Sequence, residues 1–423
     1  MLKLKAKMFD ESAKSHASKE LWKQICLFFA VFLVIFLCFV TINEAFCAQP
    51  THNWVWNVLV VPPAAGWNNE PGISISNALS WYEAEISDSG SGIGGHDIRF
   101  TKLNLNTSSD NPANEIKFPV DSHTIAVMSF ALTPEIDKVL VSRLAGSHVP
   151  LMLAGGENVL IDMGGRPLSN VFALDLYRDY RCYAFAQYAK RIYDSKKRIA
   201  LAASRFTVNQ EREAKICYNM LDSEGFMPMP YWADASVHDT FAMMAEEIES
   251  FVGEQAGVMI SFMGGMGARE IWRNFMRLRS NWRLWNCAEP DPSYLSCRGM
   301  IFADQNILLA SHGGFIETKR LLWRTRAMRV NDSVAAGKAL ALIEWLIKAI
   351  ELMPQPVDDM PRNNLLRNLE RVQSIKFGNQ VLNISPSLHR PAERNVYIVE
   401  VRNREYDNLD VVKTRGLAYT PAY

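Results

Sequence analysis

The sequence predicts an α/β protein of two lobes, each a mostly parallel sheet flanked by helices, the two joined by hinge strands. Three observations carry this expectation. Strand-like and helix-like segments alternate many times after residue 54. The strand-like segments are nearly continuous apolar runs, as strands buried on both faces require. The alternation also comes in two successive series, each with its own apolar core.

The first series opens with 57–61 (NVLVV), a short apolar strand ended by Pro62-Pro63. A helical stretch follows at 72–86, and the glycine-rich turn 90–95 leads into a strand at 97–103. After a polar loop, 124–130 reads as a buried strand. Pro134 suits the first turn of a helix reaching 145, because its missing N–H is unpaired there in any case. The next strand is 150–153, and 171–176 is a strand crossing between lobes. The second series reads as helix 180–193, strand 198–203, helix 209–223, strand 226–231, helix 240–251, strand 256–262, helix 268–278 and a final strand 282–285. The tail holds a long helix at 332–352, a helix at 363–372, and paired strands near 396–401 and 409–412. Lys338, Glu344 and Lys348 interrupt the long helix, so it reads as buried within protein and not as a membrane span. The organisation is thus an N-terminal segment 1–47, a first lobe 48–175, a second lobe 176–300, and returns through the hinge in 301–423 that complete both lobes.

The 423 residues are 48% apolar, with 45 Lys+Arg against 45 Asp+Glu. Zero net charge and the absence of any long basic run argue against a nucleic-acid partner. The zero hides an asymmetry. Six lysines precede 18 uncharged residues at 25–42 (ICLFFAVFLVIFLCFVTI), and Ala45-Phe46-Cys47-Ala48 follows. A basic flank, an apolar run and an A-x-C site read as a secretory signal. The same run is long enough to stay as an anchor across about 30 Å of hydrocarbon, its lysine-bearing side in the cytoplasm. Both readings place everything after about residue 48 outside the cytoplasm, in the periplasm. Membrane contact would come only through the N-terminal segment. The exported part carries a net charge of −2.

Of seven cysteines, Cys26, Cys38 and Cys47 belong to the export segment. The remaining Cys182, Cys217, Cys287 and Cys297 are an even set, compatible with two disulfides in an oxidising compartment and open to three pairings. Cys287 and Cys297 bracket a loop rich in Pro and Asp and read as a staple. Cys182 and Cys217 lie in two helical stretches and pair only if those helices touch. Four reduced packing residues are the alternative. Spacings of nine and 34 intervening residues match no zinc or haem site, so no metal or cofactor is expected. No G-x-S-x-G, H-E-x-x-H or phosphate-binding G-x-x-x-x-G-K-[ST] is present, and the eight histidines lie singly. No catalytic residue is assigned, nothing motivates one, and the chain is not expected to be an enzyme.

The order of elements resembles the type I periplasmic binding proteins, in particular the branched-chain amino-acid or leucine-binding branch. Gly72-Ile73-Ser74-Ile75-Ser76-Asn77-Ala78 followed by Gly92-Ile93-Gly94-Gly95-His96-Asp97 matches that family's opening pattern. Val149-Pro150 before an apolar strand, the turn Phe262-Met263-Gly264-Gly265-Met266-Gly267, and the helix opening Asn331-Asp332-Ser333-Val334-Ala335-Ala336 match later landmarks. The resemblance spans nearly all of 55–415. It departs at 104–122, where relatives usually carry a helix, and at Met128-Ser129-Phe130-Ala131-Leu132-Thr133, where they carry a small-residue motif.

What the resemblance implies is a solute-binding protein whose lobes close like a flytrap over an amino acid or related amide and deliver it to an ABC permease in the inner membrane. The alternative is a membrane-anchored sensing or accessory domain of the same fold. Ligands in such open sheets sit outside the carboxyl ends of the strands. Ser129, Ala131 and Thr133, at a strand end before a helix N-terminus, suit a carboxylate. Ala154, Gly155 and Gly156 let a ligand approach backbone N–H groups closely. Phe206 and Met263 are candidates for an apolar wall. Glu289 stands where the family places a residue facing the ligand's ammonium group.

Overall fold

The computed structural model describes residues 27–28, 31–32, 55–90, 92–104, 119–132, 134–155, 168–176, 179–194, 196–204, 208–233, 246, 250, 257–277, 282–288, 292–306, 332–355, 357, 360–377 and 380–415. The chain divides into a unit Met1–Asn53 and a compact unit Trp54–Tyr423. In the first, Leu27, Phe28, Val31 and Phe32 are helical and exposed. Among the described residues no helix is long and apolar enough to cross a membrane.

In the larger unit, β1 (Val55–Val61), α1 (Glu70–Asp88), β2 (Asp97–Lys102), β3 (Thr124–Ser129), α2 (Pro134–Leu144), β4 (Leu151–Leu153) and β5 (Val171–Ala173) build the first lobe. Its sheet runs β2-β1-β3-β4-β5, parallel throughout. The period-2 geometry of strands explains the unbroken apolar runs. Trp56, Val58 and Val60 of β1 enter one core, and Leu59 and Val61 enter the other. The Asn69 side chain accepts from the Gly72 N–H at 2.7 Å and starts α1. A Cβ on Gly72 would stand 2.4 Å from the Gly66 carbonyl oxygen, so the opening loop closes only over glycine. Gly94, at φ +61, lies against the Trp56 ring for the same reason.

The second lobe contains α3 (Tyr180–Ile192), β6 (Arg198–Ser204), α4 (Val208–Ser223), β7 (Met227–Ala233), β8 (Val258–Ser261), α5 (Gly265–Arg277), β9 (Arg283–Asn286), a 3-10 turn at Pro292–Ser296 and β10 (Ile301–Asp304). The chain then returns to the first lobe as α6 (Ser333–Glu351), capped by Asp332, and α7 (Arg362–Leu369). Short pairs β11 (Ile375–Phe377) with β12 (Gln380–Leu382), and β13 (Ile384–Ser385) with β14 (Arg390–Pro391), lead back to the second lobe. There β15 (Glu393–Arg402) and β16 (Glu405–Arg415) complete a sheet of order β16-β15-β10-β9-β8-β6-β7. Its β7-to-β10 part is parallel, and β15 and β16 are antiparallel additions.

Sequence reading ended the second series at 285, one strand early. β10 follows the cysteine loop, and its Ile301 and Ala303 face one core while Phe302 faces the other. The four short strands β11–β14 carry too few residues to show a period. The helix expected at 240–251 falls outside the described residues apart from Glu246 and Ser250, both helical.

The cysteines separate by sheet face. Cys182 on α3 and Cys217 on α4 form a disulfide with Cα atoms 5.0 Å apart. Cys287 and Cys297 are buried thiols, so the expected staple is not formed. Cys287 packs into the core under α3 and α4, whereas Cys297 packs into the opposite core under α5.

Candidate ligand-binding site

The strand ends share one device. The last residue of β3, Ser129, accepts the Ala131 N–H through its side chain at 3.4 Å. Ser261 ends β8 and accepts from Met263 N–H at 3.2 Å. Asn286 ends β9 and accepts from Ala288 N–H at 2.7 Å, and Asp304 ends β10 and accepts from Asn306 N–H at 2.6 Å. A peptide N–H just past a ladder would be buried without a partner, and a short oxygen-bearing side chain two residues earlier satisfies it while turning the chain. Four parallel strands thus end in tight turns, fixed by residues that an apolar pattern does not reveal.

The candidate residues fall into two groups, one in each lobe. Ser129, Ala131, Ala154 and Gly155 sit together at the ends of β3 and β4, where the Ala154 N–H donates to the Ser129 carbonyl at 2.9 Å. The Ser129 hydroxyl donates to Asp137 of α2 at 3.1 Å, so it serves the fold. Leu132, at φ +55, covers Gly155: a Cβ there would lie 3.1 Å from the Leu132 side chain. Met263 is buried in the core under α5, beside Ala268 and Ile271. Thr133, Gly156, Phe206 and Glu289 lie outside the described residues.

What sequence reading missed is a buried polar junction where three crossings between lobes meet. Asp175 follows β5. It receives Lys338 of α6 at 2.6 Å, Arg394 of β15 at 3.5 Å, and the Asn306 amide at 3.3 Å. Arg394 also donates to the Leu174 carbonyl at 2.9 Å and to the Asn306 side chain at 2.8 Å, and its guanidinium lies over the Phe377 ring. Arg390 donates to the Asp175 carbonyl at 3.3 Å. Gln305 accepts from the Leu176 N–H at 3.2 Å. On the second-lobe side, Asp304 binds Tyr180 at 3.1 Å and Arg181 at 3.3 Å, and Arg181 reaches the Cys287 carbonyl at 2.9 Å.

Burial dominates the electrostatics. It pulls the Arg394 guanidinium below its ordinary value, opposed first by Asp175. It pushes the Asp179 carboxyl, at the start of α3, above the usual carboxylate range, opposed by the positive charges of Arg212 and Arg390. Such charges are tolerated inside a protein only when paired and hydrogen-bonded, and here each pairing joins segments distant in sequence. The signal in the sequence was a charged residue closing an apolar run: Asp175 after VFAL, Asp304 after IFA, and Lys338 within a helix otherwise apolar around it.

Because Asp175 ends one sheet and Asp304 the other, the carboxyl ends of both sheets converge on this junction. That is where open α/β sheets place ligands. A groove between α5 and the starts of β8 and β9, lined by Met259, Trp272, Phe275 and Trp282, lies at the opposite end of the strands. The strand-end geometry is the better guide to the site, since the groove has no part in the junction.

No protein-family model and no curated protein sequence matches the chain. Solved structures do. The chain is similar to a leucine-binding protein of Thermotoga maritima, at 13% identity and a TM-score of 0.65 over 85% of this chain and 99% of that one. A Rhodopseudomonas palustris ABC-transporter solute-binding protein in complex with benzoate shares 15% identity and a TM-score of 0.65 over 86% and 99%. A fatty acid ABC transporter substrate-binding protein of Thermomonospora curvata shares 12% identity and a TM-score of 0.62 over 86% and 92%. Identities this low establish fold. With its two α/β sheets, its three crossings and these likenesses, the chain has the two-lobed fold of the type I periplasmic binding proteins.

Proposed function

We propose that the exported body is a non-catalytic solute-binding protein, closing over a small organic carboxylate between the strand ends of its lobes. The observation that carries this reading is the convergence of both sheets' carboxyl ends on the Asp175–Asp304 junction. A junction of three crossings lets two lobes swing while their strand ends stay opposed, which is hinge closure. Leucine, benzoate and a fatty acid are named for the similar structures, and all three carry a carboxylate. An amino acid or related amide is the narrower reading, with Glu289 opposite its ammonium group and the turn 129–133 toward its carboxylate. Delivery would be to an ABC permease in the membrane beside a periplasmic body.

A thermal-shift screen tests this directly, since a ligand bound only by the folded state stabilises it by about 2.7 kcal/mol at a hundred times its Kd. Amino acids, their amides, benzoates, fatty acids and, as controls, sugars form the panel. Stabilisation across the carboxylates supports the reading, and stabilisation confined to leucine-like zwitterions and their amides supports the amino-acid or amide ligand in its place. A response to sugars only, or to nothing, overturns it. The apolar run 25–42 supports a second reading, a tethered sensing domain; N-terminal sequencing of exported protein that begins near Ala48 removes it.

A further inference from the structure

The disulfide has a third sulfur beside it. The Sγ atoms of Cys182, Cys217 and Cys287 all lie within 4.8 Å of one another, in the core that α3 and α4 make against the second sheet. The Cα atoms of a disulfide pair usually lie about 4.4–6.8 Å apart, so side-chain adjacency alone does not make a partner. Here a side chain also ties the two segments together. Arg181, the neighbour of Cys182, donates to the Cys287 carbonyl at 2.9 Å. The Cys182 sulfur in turn lies 3.8 Å from the Glu213 carbonyl, one helical turn before Cys217. The three sulfurs thus form a compact triangle in which Cys287 neighbours both members of the disulfide, and Cys297 faces the other core.

We propose that Cys182, Cys217 and Cys287 form a thiol–disulfide exchange site, in which Cys287 displaces Cys217 and the bond moves from the α3–α4 pair to Cys182–Cys287. Rotation of the Cys287 side chain brings its thiolate opposite the Cys182–Cys217 bond, where it attacks the Cys182 sulfur in line with that bond. That bond breaks, and Cys217 leaves as a thiolate and takes up the proton that Cys287 gave up. One disulfide and one thiol exist before and after, so no oxidant or reductant is consumed. The charged groups facing Cys287 are Arg181 from α3, which favours its thiolate, and Glu213 from α4, which opposes it. Burial outweighs both and pushes the thiol up, so the exchange is slow near neutrality and accelerates with pH. The moved bond would fasten the turn after β9, which leads into Glu289, to the first turn of α3. This inference stands apart from the ligand reading, because it needs only the second-lobe core.

The test maps disulfides in the whole protein. Wild-type protein is held at pH 6 and pH 9, quenched in acid, alkylated under denaturing conditions and digested without reduction. The expected result is a Cys182–Cys287 peptide pair with alkylated Cys217, forming at least tenfold faster at pH 9, absent from Cys287→Ser and retained in Cys297→Ser. Cys217→Ala, treated mildly with diamide, should form the Cys182–Cys287 bond outright. Only Cys182–Cys217 at every pH in the wild type overturns the exchange. Cys182 and Cys287 both still alkylatable in diamide-treated Cys217→Ala overturn the adjacency as well.

Discussion

Asp175 ties together three segments that lie far apart in the chain. Its carboxylate faces Lys338 and Arg394, both almost wholly buried, and removing one partner of such a set leaves uncompensated charge in the interior. Asp175→Ala should therefore lower the unfolding free energy by about 3–5 kcal/mol, read as a shifted urea midpoint at unchanged slope. Asp179 should behave in the opposite sense. Its carboxyl is raised in the folded state by burial, ahead of the opposing Arg212 and Arg390, so the fold favours its protonated form. The stability this contributes is complete below the unfolded carboxyl value, near pH 4, and is lost as pH rises through the folded value. Asp179→Asn should then raise the Tm at pH 7, with the gain shrinking toward pH 4; a gain independent of pH would contradict this assignment.

Residues of this kind explain why the site was less legible than the fold. Ser129, Ala131, Ala154 and Gly155 can be found from sequence because glycines and hydroxyls at a strand end have local meaning. Asp175, Asp304, Arg390 and Arg394 acquire theirs only when segments far apart in the chain meet. The Ser129 hydroxyl was legible as polar, but its bond to Asp137 depends on how α2 packs against the strand end.

Elements were legible wherever periodicity had room to show. β1, β3 and β6 are long apolar runs and stand where the sequence suggests, while β11–β14, of two or three residues each, left no pattern. The staple across 287–297 misled because loop composition is local, whereas sheet face decides which sulfurs can meet. Removing the bond that does form, by a Cys182→Ala/Cys217→Ala double change, should cost about 3–4 kcal/mol, since it closes a loop of some thirty-five residues between α3 and α4. Chemical denaturation of the variant measures it.

The edge strand β7 manages a different hazard. Among the described residues it pairs only with β6, and Met227 and Met229 on it are 50% and 38% exposed. The Met227 N–H bonds inward to Lys197 at 3.0 Å, so by the strand's period positions 228, 230 and 232 face outward. The first two are proline and donate nothing, which leaves the Trp232 N–H and hinders the addition of a foreign strand. Pro228→Val/Pro230→Val should add outward donors to an apolar edge and produce concentration-dependent oligomers by light scattering. A strictly monomeric variant would show that the prolines serve only the turn geometry.

At the scale of the whole molecule, the crossings set what can move. The buried charges sit where the crossings meet, so on the proposed hinge closure they would stay paired. X-ray scattering should show a smaller radius of gyration on adding a stabilising carboxylate, with Asp175→Ala closing less completely or less uniformly. A ligand that stabilises without compaction would place binding inside one lobe.

The return of α6 to the first lobe also has a temporal consequence. Its Ala339, Leu342, Leu346 and Ile350 share a core with Val58, Met152 and Phe172, which emerge from synthesis or a translocation channel more than 160 residues earlier. One side of the first sheet therefore waits, covered only in part by α1, while the entire second series is made. A chain arriving from its N-terminus cannot finish its first lobe first, and a fragment ending at residue 306 should be insoluble without a holding chaperone. Vectorial export would then deliver the two halves to the far side as one cooperative event, completed only when the last third of the chain arrives.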